Sequence, residues 1–238
     1  MVNIFYNIYF LKISNNDDII GRIEREKTPF GKKEIGLGKY SVQSHVPIFK
    51  KMFETFDINS VFEYGIGLHS TPVFIDNCEK VLSIEMNTHR LGSQTWYEKV
   101  VEEIGNRDNW THDEMHGPYK AISYAKELFG KETFDLVFAD GHGDTRHQQT
   151  NSGFGSSRFV ICHDSQHQHT RLGWKIPDNY YKIDFVDYCR KCEGNVTEKH
   201  WATTTVFCNN EQDAEVVKSW LDMEKEVCSL HFVWVDNK

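Results

Sequence analysis

Val61–Asn87 reads VFEYGIGLHSTPVFIDNCEKVLSIEMN. An apolar run, Val61–Tyr64, leads into a glycine turn at Gly65 and Gly67. A short helix-compatible segment follows, and a second apolar run ends in the acid Glu85. Glycines directly after a strand let the backbone turn sharply and let a ligand approach the main chain. Glu85 stands 20 residues after Gly65. An acid at the end of the second strand is placed there to accept the hydroxyls of a cofactor ribose.

Working outward, Val42, Val46, Phe49, Phe53 and Phe56 recur at helical spacing, which predicts a helix over Ser41–Phe56. Ser41 can cap it, and Pro47 in its early part allows a later start. Downstream, helices are predicted over Arg90–Ile104, stopped by Gly105, and over Tyr119–Phe129, stopped by Gly130. Trp110–Met115 predicts a short strand. Phe134–Asp140 and Arg158–Asp164 are apolar runs that both end in an acid. Ala202–Cys208 and Cys228–Asp236 read as strands flanking a helix over Glu211–Glu226. Nearly continuous apolar strands alternating with helices indicate a parallel sheet covered on both faces. Residues 1–40 hold an Ile/Phe/Tyr-rich run at Ile4–Ile13, a short helical pattern at Asp18–Glu26 and a polar, glycine-punctuated loop. They are expected to form an extension or lid on one domain spanning 41–238.

The 238 residues carry a net charge of -8, which opposes a broad electrostatic grip on nucleic acid or acidic membranes. No run approaches the length of a membrane span, and the N-terminus lacks the basic and small-residue pattern of a signal peptide. Six cysteines, several within apolar runs, fit free thiols. A cytoplasmic protein is the expectation.

Glu63 narrows the cofactor. In Glu63-x-Gly65-x-Gly67-x-x-Ser70 a carboxylate precedes the turn, where it would repel a dinucleotide's pyrophosphate. S-adenosylmethionine has no phosphate and carries an ammonium and a sulfonium, so an acid there favours it. With Glu85, this segment resembles the cofactor site of class I S-adenosylmethionine-dependent methyltransferases. Phe134–Asp140 resembles their fourth-strand motif, and the likeness covers roughly Ser41–Ser165 and the C-terminal helix and strands. It implies a Rossmann-like, mostly parallel sheet of about seven strands with helices on both faces and an antiparallel C-terminal strand. It also implies cofactor contacts from Glu63, Gly65, Gly67, Ser70, Glu85 and Asp140, and from Asp113 near the adenine.

Asp140-Gly141-His142-Gly143-Asp144 and His163-Asp164 are predicted to emerge at the carboxyl ends of neighbouring strands. They could deprotonate a substrate hydroxyl, or Asp140 and Asp164 could hold Mg2+. The segment ending HDS at Ser165 resembles O-methyltransferases acting on sugars and small natural products, some of which use Mg2+; here a third acid is missing. The catalytic candidates are Asp140, His142, His163 and Asp164.

The segment HDSQHQHTRLGW adds His167 and His169 as candidate bases, although incidental loop histidines explain it better. Cys189-x-x-Cys192, with His200 and Cys208, has half of a zinc-site spacing. The D/N-P-P-Y/F motif of amino-group DNA methylation is replaced by ADGHG. The reading is methyl transfer from S-adenosylmethionine to an oxygen of a small polar or sugar-like acceptor. The alternatives are a non-catalytic cofactor- or partner-binding module, a nucleic-acid or protein methyltransferase, and a dinucleotide-dependent oxidoreductase.

Overall fold

The computed structural model of the protein describes residues 45–86, 90–91, 94–165, 167–190, 199–220 and 232–234. The expected strand at Ile4–Ile13, the helix at Asp18–Glu26 and the Ser41 cap lie outside the described residues, as does Cys192.

Helix α1 spans Val46–Thr55, with His45 at its N-cap and a proline in its first turn. Proline fits there because its missing N–H would have no helical partner. Strand β1 (Ser60–Tyr64), helix α2 (Thr71–Asn77) and strand β2 (Lys80–Glu85) complete the first β-α-β unit. A small hairpin pairs β3 (Arg90–Leu91) with β4 (Gln94–Thr95). Helix α3 therefore begins at Trp96 rather than at Arg90, and it runs to Ile104. The reason is a capping box: the Thr95 side chain accepts from the Glu98 N–H while Glu98 accepts from the Thr95 N–H. Next come β5 (Trp110–Glu114), α4 (Pro118–Phe129) and β6 (Phe134–Ala139). Gly105 and Gly130 end α3 and α4 with positive φ, as expected of C-terminal glycines.

Helix α5 (Arg146–Gly153), helix α6 (Gln168–Leu172) and strand β8 (Tyr181–Arg190) add to the expected elements. No apolar periodicity marks RHQQTNSG, because the residues that α5 buries are Gln149, Thr150, Ser152 and Gly153. Between and after these lie β7 (Ser157–Cys162), β9 (Lys199–Cys208), α7 (Glu211–Ser219) and β10 (Phe232–Trp234).

Among the described residues the main sheet has eight strands in the order β10-β8-β9-β7-β6-β1-β2-β5. Strands β5, β2, β1, β6 and β7 pair in parallel. Strand β9 lies antiparallel between β7 and β8, and β10 lies antiparallel beside β8. The antiparallel ending thus involves two strands. Alternate residues of β1 face opposite layers. Val61 packs with Phe49, Phe74 and Val100 on the face covered by α1, α2 and α3, and Phe62 and Tyr64 pack with Ala121 and Ile122 of α4. Helix α7 closes the first face with Ala214 and Val217. This mixed α/β sheet, covered on both faces, is the Rossmann-like architecture expected of the sequence.

The chain order reverses between β1 and β6, a topological switch point where ligands of open α/β sheets bind beyond the strands' carboxyl ends. Tyr64 fastens this end, donating to the Pro118 carbonyl at 2.6 Å and lying 2.6 Å from the Ser152 hydroxyl. No described helix is long and apolar enough to cross a membrane.

Candidate functional site

The glycine turn begins at Gly65, with φ +87°, a backbone region that side chains disfavour. A Cβ there would stand 2.7 Å from the Asp140 carbonyl, so the missing side chain lets the end of β1 close onto the end of β6. The Gly65 N–H bonds the Ile84 carbonyl, and the Asp140 N–H bonds that of Tyr64. The three neighbouring strand ends are thereby locked together.

Glu85 is almost fully buried at the end of β2. Its carboxylate accepts from the Ile66 N–H on the turn at 3.2 Å and from the Met86 N–H at 2.8 Å. Trp96, at the start of α3, donates its indole N–H to the Ile66 carbonyl at 2.7 Å. Asp113 lies exposed near the end of β5, where its carboxylate accepts from the Glu114 N–H.

Glu63 has a setting that the sequence did not reveal. Its carboxyl is wholly buried beneath the turn and receives the hydroxyls of Ser70, Thr71 at 2.7 Å and Ser83 at 2.6 Å. Thr71 accepts the Gly67 N–H at 2.9 Å, and Ser83 accepts the Trp110 indole N–H at 3.1 Å. Ser70 is the N-cap of α2. Glu63 therefore stitches β1, β2, the turn and the start of α2 together. Burial pushes its pKa up to about 8 against the downward pull of these hydroxyls. A group so placed acts through the turn rather than as a free surface charge.

At the ends of β6 and β7, four groups meet. His163 is buried, with Nδ1 3.1 Å from the Asp140 carboxylate and 3.8 Å from that of Asp164. Arg146, at the start of α5, reaches Asp140 at 3.1 Å and Asp164 at 3.4 Å, and donates to the Gly141 carbonyl at 3.0 Å. Asp164 has φ +50°, an uncommon backbone for a non-glycine residue. Burial alone would lower the His163 pKa, but the adjacent Asp140 and Asp164 raise it overall. His45 stacks edge-on against the His163 ring at 4.5 Å between centroids. Burial first, and then the nearby His163, His69 and Arg146, hold its pKa well below the ordinary value.

His142 stands apart from this cluster: it is half exposed, with Nδ1 4.0 Å from Asp144. The loop carrying it is held by Gln149, whose side chain accepts from the Gly141 N–H at 3.0 Å and donates to the Thr145 hydroxyl at 3.0 Å. His167 and His169 stack on one another at an exposed position. Arg171 pairs with the buried Asp184 at 3.3 Å and donates to the Ser165 carbonyl at 2.7 Å. Cys208 is a free, buried thiol in β9.

Asp140, His163 and Asp164 are brought together, and His45 and Arg146, which sequence reasoning missed or left unassigned, join them. Arg146 is recognisable only as a cation six residues beyond a strand-end acid. Because Arg146 already bridges the Asp140 and Asp164 carboxylates, nothing in this geometry supports Mg2+ between them. A phosphate-free cationic cofactor fits the donor set, since Gly65–Ser70 carries no Lys or Arg and Glu85 and Asp140 flank it.

No family model and no curated protein matches the sequence. Solved structures do match the fold. Rv0187 from MTB, solved with its cofactor bound, is 12% identical over 82% of this chain and 91% of that one, with a TM-score of 0.51. The O-methyltransferase TomG from Streptomyces achromogenes, involved in tomaymycin synthesis and solved in complex with S-adenosylmethionine, is 12% identical over 83% and 92%, with a TM-score of 0.50. A Klebsiella pneumoniae protein named as a candidate O-methyltransferase is 13% identical over 83% and 92%, also with a TM-score of 0.50. At such identities the likeness establishes the Rossmann-like fold alone.

Proposed function

We propose that this chain is an S-adenosylmethionine-dependent methyltransferase acting on an oxygen of a small polar or sugar-like acceptor. The observation that carries the proposal is Glu85. It is a buried acid at the end of β2, hydrogen-bonded to the N–H of Ile66 on the glycine turn, at the switch point of a methyltransferase-type sheet. A ribose placed there would find a carboxylate already oriented by two backbone donors. That TomG, which shares the fold, is named as an O-methyltransferase supports the same reading.

In this reading Gly65 and Gly67 leave the turn open to the cofactor, and Glu63 and Ser70 fix the turn's shape from below. Bound S-adenosylmethionine supplies an activated methyl group on a sulfonium, so the protein's part is chiefly alignment. Asp140 orients His163 through its 3.1 Å contact, and His163 takes the proton from the acceptor hydroxyl. Arg146 balances the two acids and fixes their direction. Asp164 lies near the same His163 Nδ1, at 3.8 Å, and His142 on the rim contacts the acceptor. Residues 41–238 act as one catalytic domain.

Calorimetric titration with S-adenosylmethionine, S-adenosylhomocysteine and NAD tests this. Both sulfur ligands should bind and NAD should not. Glu85→Ala should weaken S-adenosylmethionine by roughly 1–3 kcal/mol, the scale of a hydrogen bond to a charged group. Binding of NAD alone would refute the proposal, and unchanged affinity in the variant would remove Glu85 from the site. Methylated product from a panel of hydroxylated acceptors separates an enzyme from a binding module.

A further inference from the structure

His45 is a polar group beside the site to which methyl transfer gives no task. It is 2% exposed, and neither ring nitrogen has a hydrogen-bond partner among the described residues. Buried polar groups are nearly always satisfied, so an imidazole with both nitrogens unpaired calls for a ligand. One ligand atom each from His45, Asp140 and His163 lie within 4.8 Å of one another. These atoms come from the start of α1 and the ends of β6 and β7, three separate pieces of chain. The α1–sheet contact holds His45 in place, its ring packed against Phe49 at 5.1 Å and Phe138 at 5.2 Å.

Two imidazoles and one carboxylate suit a borderline divalent transition metal such as Zn2+, Fe2+ or Co2+. Mg2+ and Ca2+ prefer oxygen ligands throughout. The carboxylates of Asp140 and Asp164 face the Arg146 guanidinium and the His163 imidazole, which serves as a metal ligand only as the neutral ring. Arg146 contacts both acids, Asp140 at 3.1 Å and Asp164 at 3.4 Å, and Asp164 is not one of the three ligands.

We propose that His45, Asp140 and His163 bind one divalent transition-metal ion. Three protein ligands leave coordination positions open for a small oxygen ligand. If the methyl-transfer reading holds, that ligand is the acceptor hydroxyl, whose proton the metal would make easier to remove, and His163 then serves as a ligand in place of the base. The metal site itself does not depend on that reading.

The test uses the full chain stripped with a chelator and titrated with Co2+, followed by visible absorption and calorimetry without S-adenosylmethionine. One Co2+ per chain is expected, displaced by Zn2+ and unaffected by millimolar Mg2+. His45→Phe, which keeps an aromatic ring in the packing, should weaken Co2+ by about 100-fold or more. The double variant His167→Ala/His169→Ala, at the exposed stacked pair, should bind as the parent does. Should His45→Phe fail to fold, hyperfine-shifted signals from two imidazoles in the Co2+-loaded parent decide the matter. Three results would overturn the proposal: no stoichiometric Co2+, unchanged affinity in His45→Phe, or a strong sulfur-to-cobalt band placing the ion at cysteine. Because the methyl donor is absent throughout, failure here leaves donor binding to be judged separately.

Discussion

Three hydroxyls, from Ser70, Thr71 and Ser83, converge on a Glu63 carboxyl that solvent does not reach. Sequence logic treats this acid as a charge at the mouth of the turn, whereas the structure places it underneath as a tie between elements. Its raised pKa has a consequence for stability. Between about 4.5 and about 8 the unfolded chain releases this proton while the folded chain keeps it. The contribution of Glu63 is therefore full below about 4.5 and is lost as the pH rises toward about 8. The melting temperature of the parent should fall relative to that of Glu63→Gln as the pH is raised through this window. A difference that stays flat would mean that the three donors keep the carboxylate ionised throughout. Arg158 and Asp213 behave in the opposite sense: their paired contacts at 2.7 and 2.8 Å hold the aspartate's pKa below its ordinary value. That support is present at neutral pH and fades in acid.

Among the elements, α5 departs most from what its sequence suggests. It has no apolar stripe, yet it docks against the ends of β6 and β7 through buried polar side chains and a glycine. Gly153 leaves no room for a side chain, since a Cβ would meet Val160 at 3.0 Å and Val137 at 3.1 Å. Gln149 then fills the space above Gly141 and accepts its N–H. Gln149→Ala should leave that buried N–H unpaired and cost about 1–3 kcal/mol in urea denaturation. Equal stability of Gln149→Ala and the parent would show that the loop supports itself. Hydrophobic patterning found α1, α3 and α4 because their buried faces are apolar. It missed α5 because its contact surface is made of amide, hydroxyl and backbone.

For the whole molecule, the order of strands matters more than any one motif. Strands β1, β2 and β6 present Gly65, Glu85 and Asp140 at a common edge, and cofactor binding there should stiffen three strand ends together. Saturation with S-adenosylmethionine at a hundred times its dissociation constant should add about 2.7 kcal/mol to unfolding stability, read as a rise in melting temperature. NAD at the same concentration should leave the transition in place. A shift with NAD and none with S-adenosylmethionine would reassign the edge to a dinucleotide.

The sequence by itself determined the alternation of strands and helices, the glycine turn and the acids that end β2 and β6. Each of these is a local matter of period, backbone freedom and spacing. Only the tertiary structure decided which charges face one another. His45 precedes β1, Arg146 follows β6 and Asp164 follows β7, and their meeting depends on parallel crossovers that bring distant segments to one edge. The same folding took Glu63 out of water and replaced the solvent with three hydroxyls, because the face of β1 that carries it is covered by α2. A residue's type is written in the chain, but its burial and its partners, which set its charge and its chemistry, exist only once the sheet has formed.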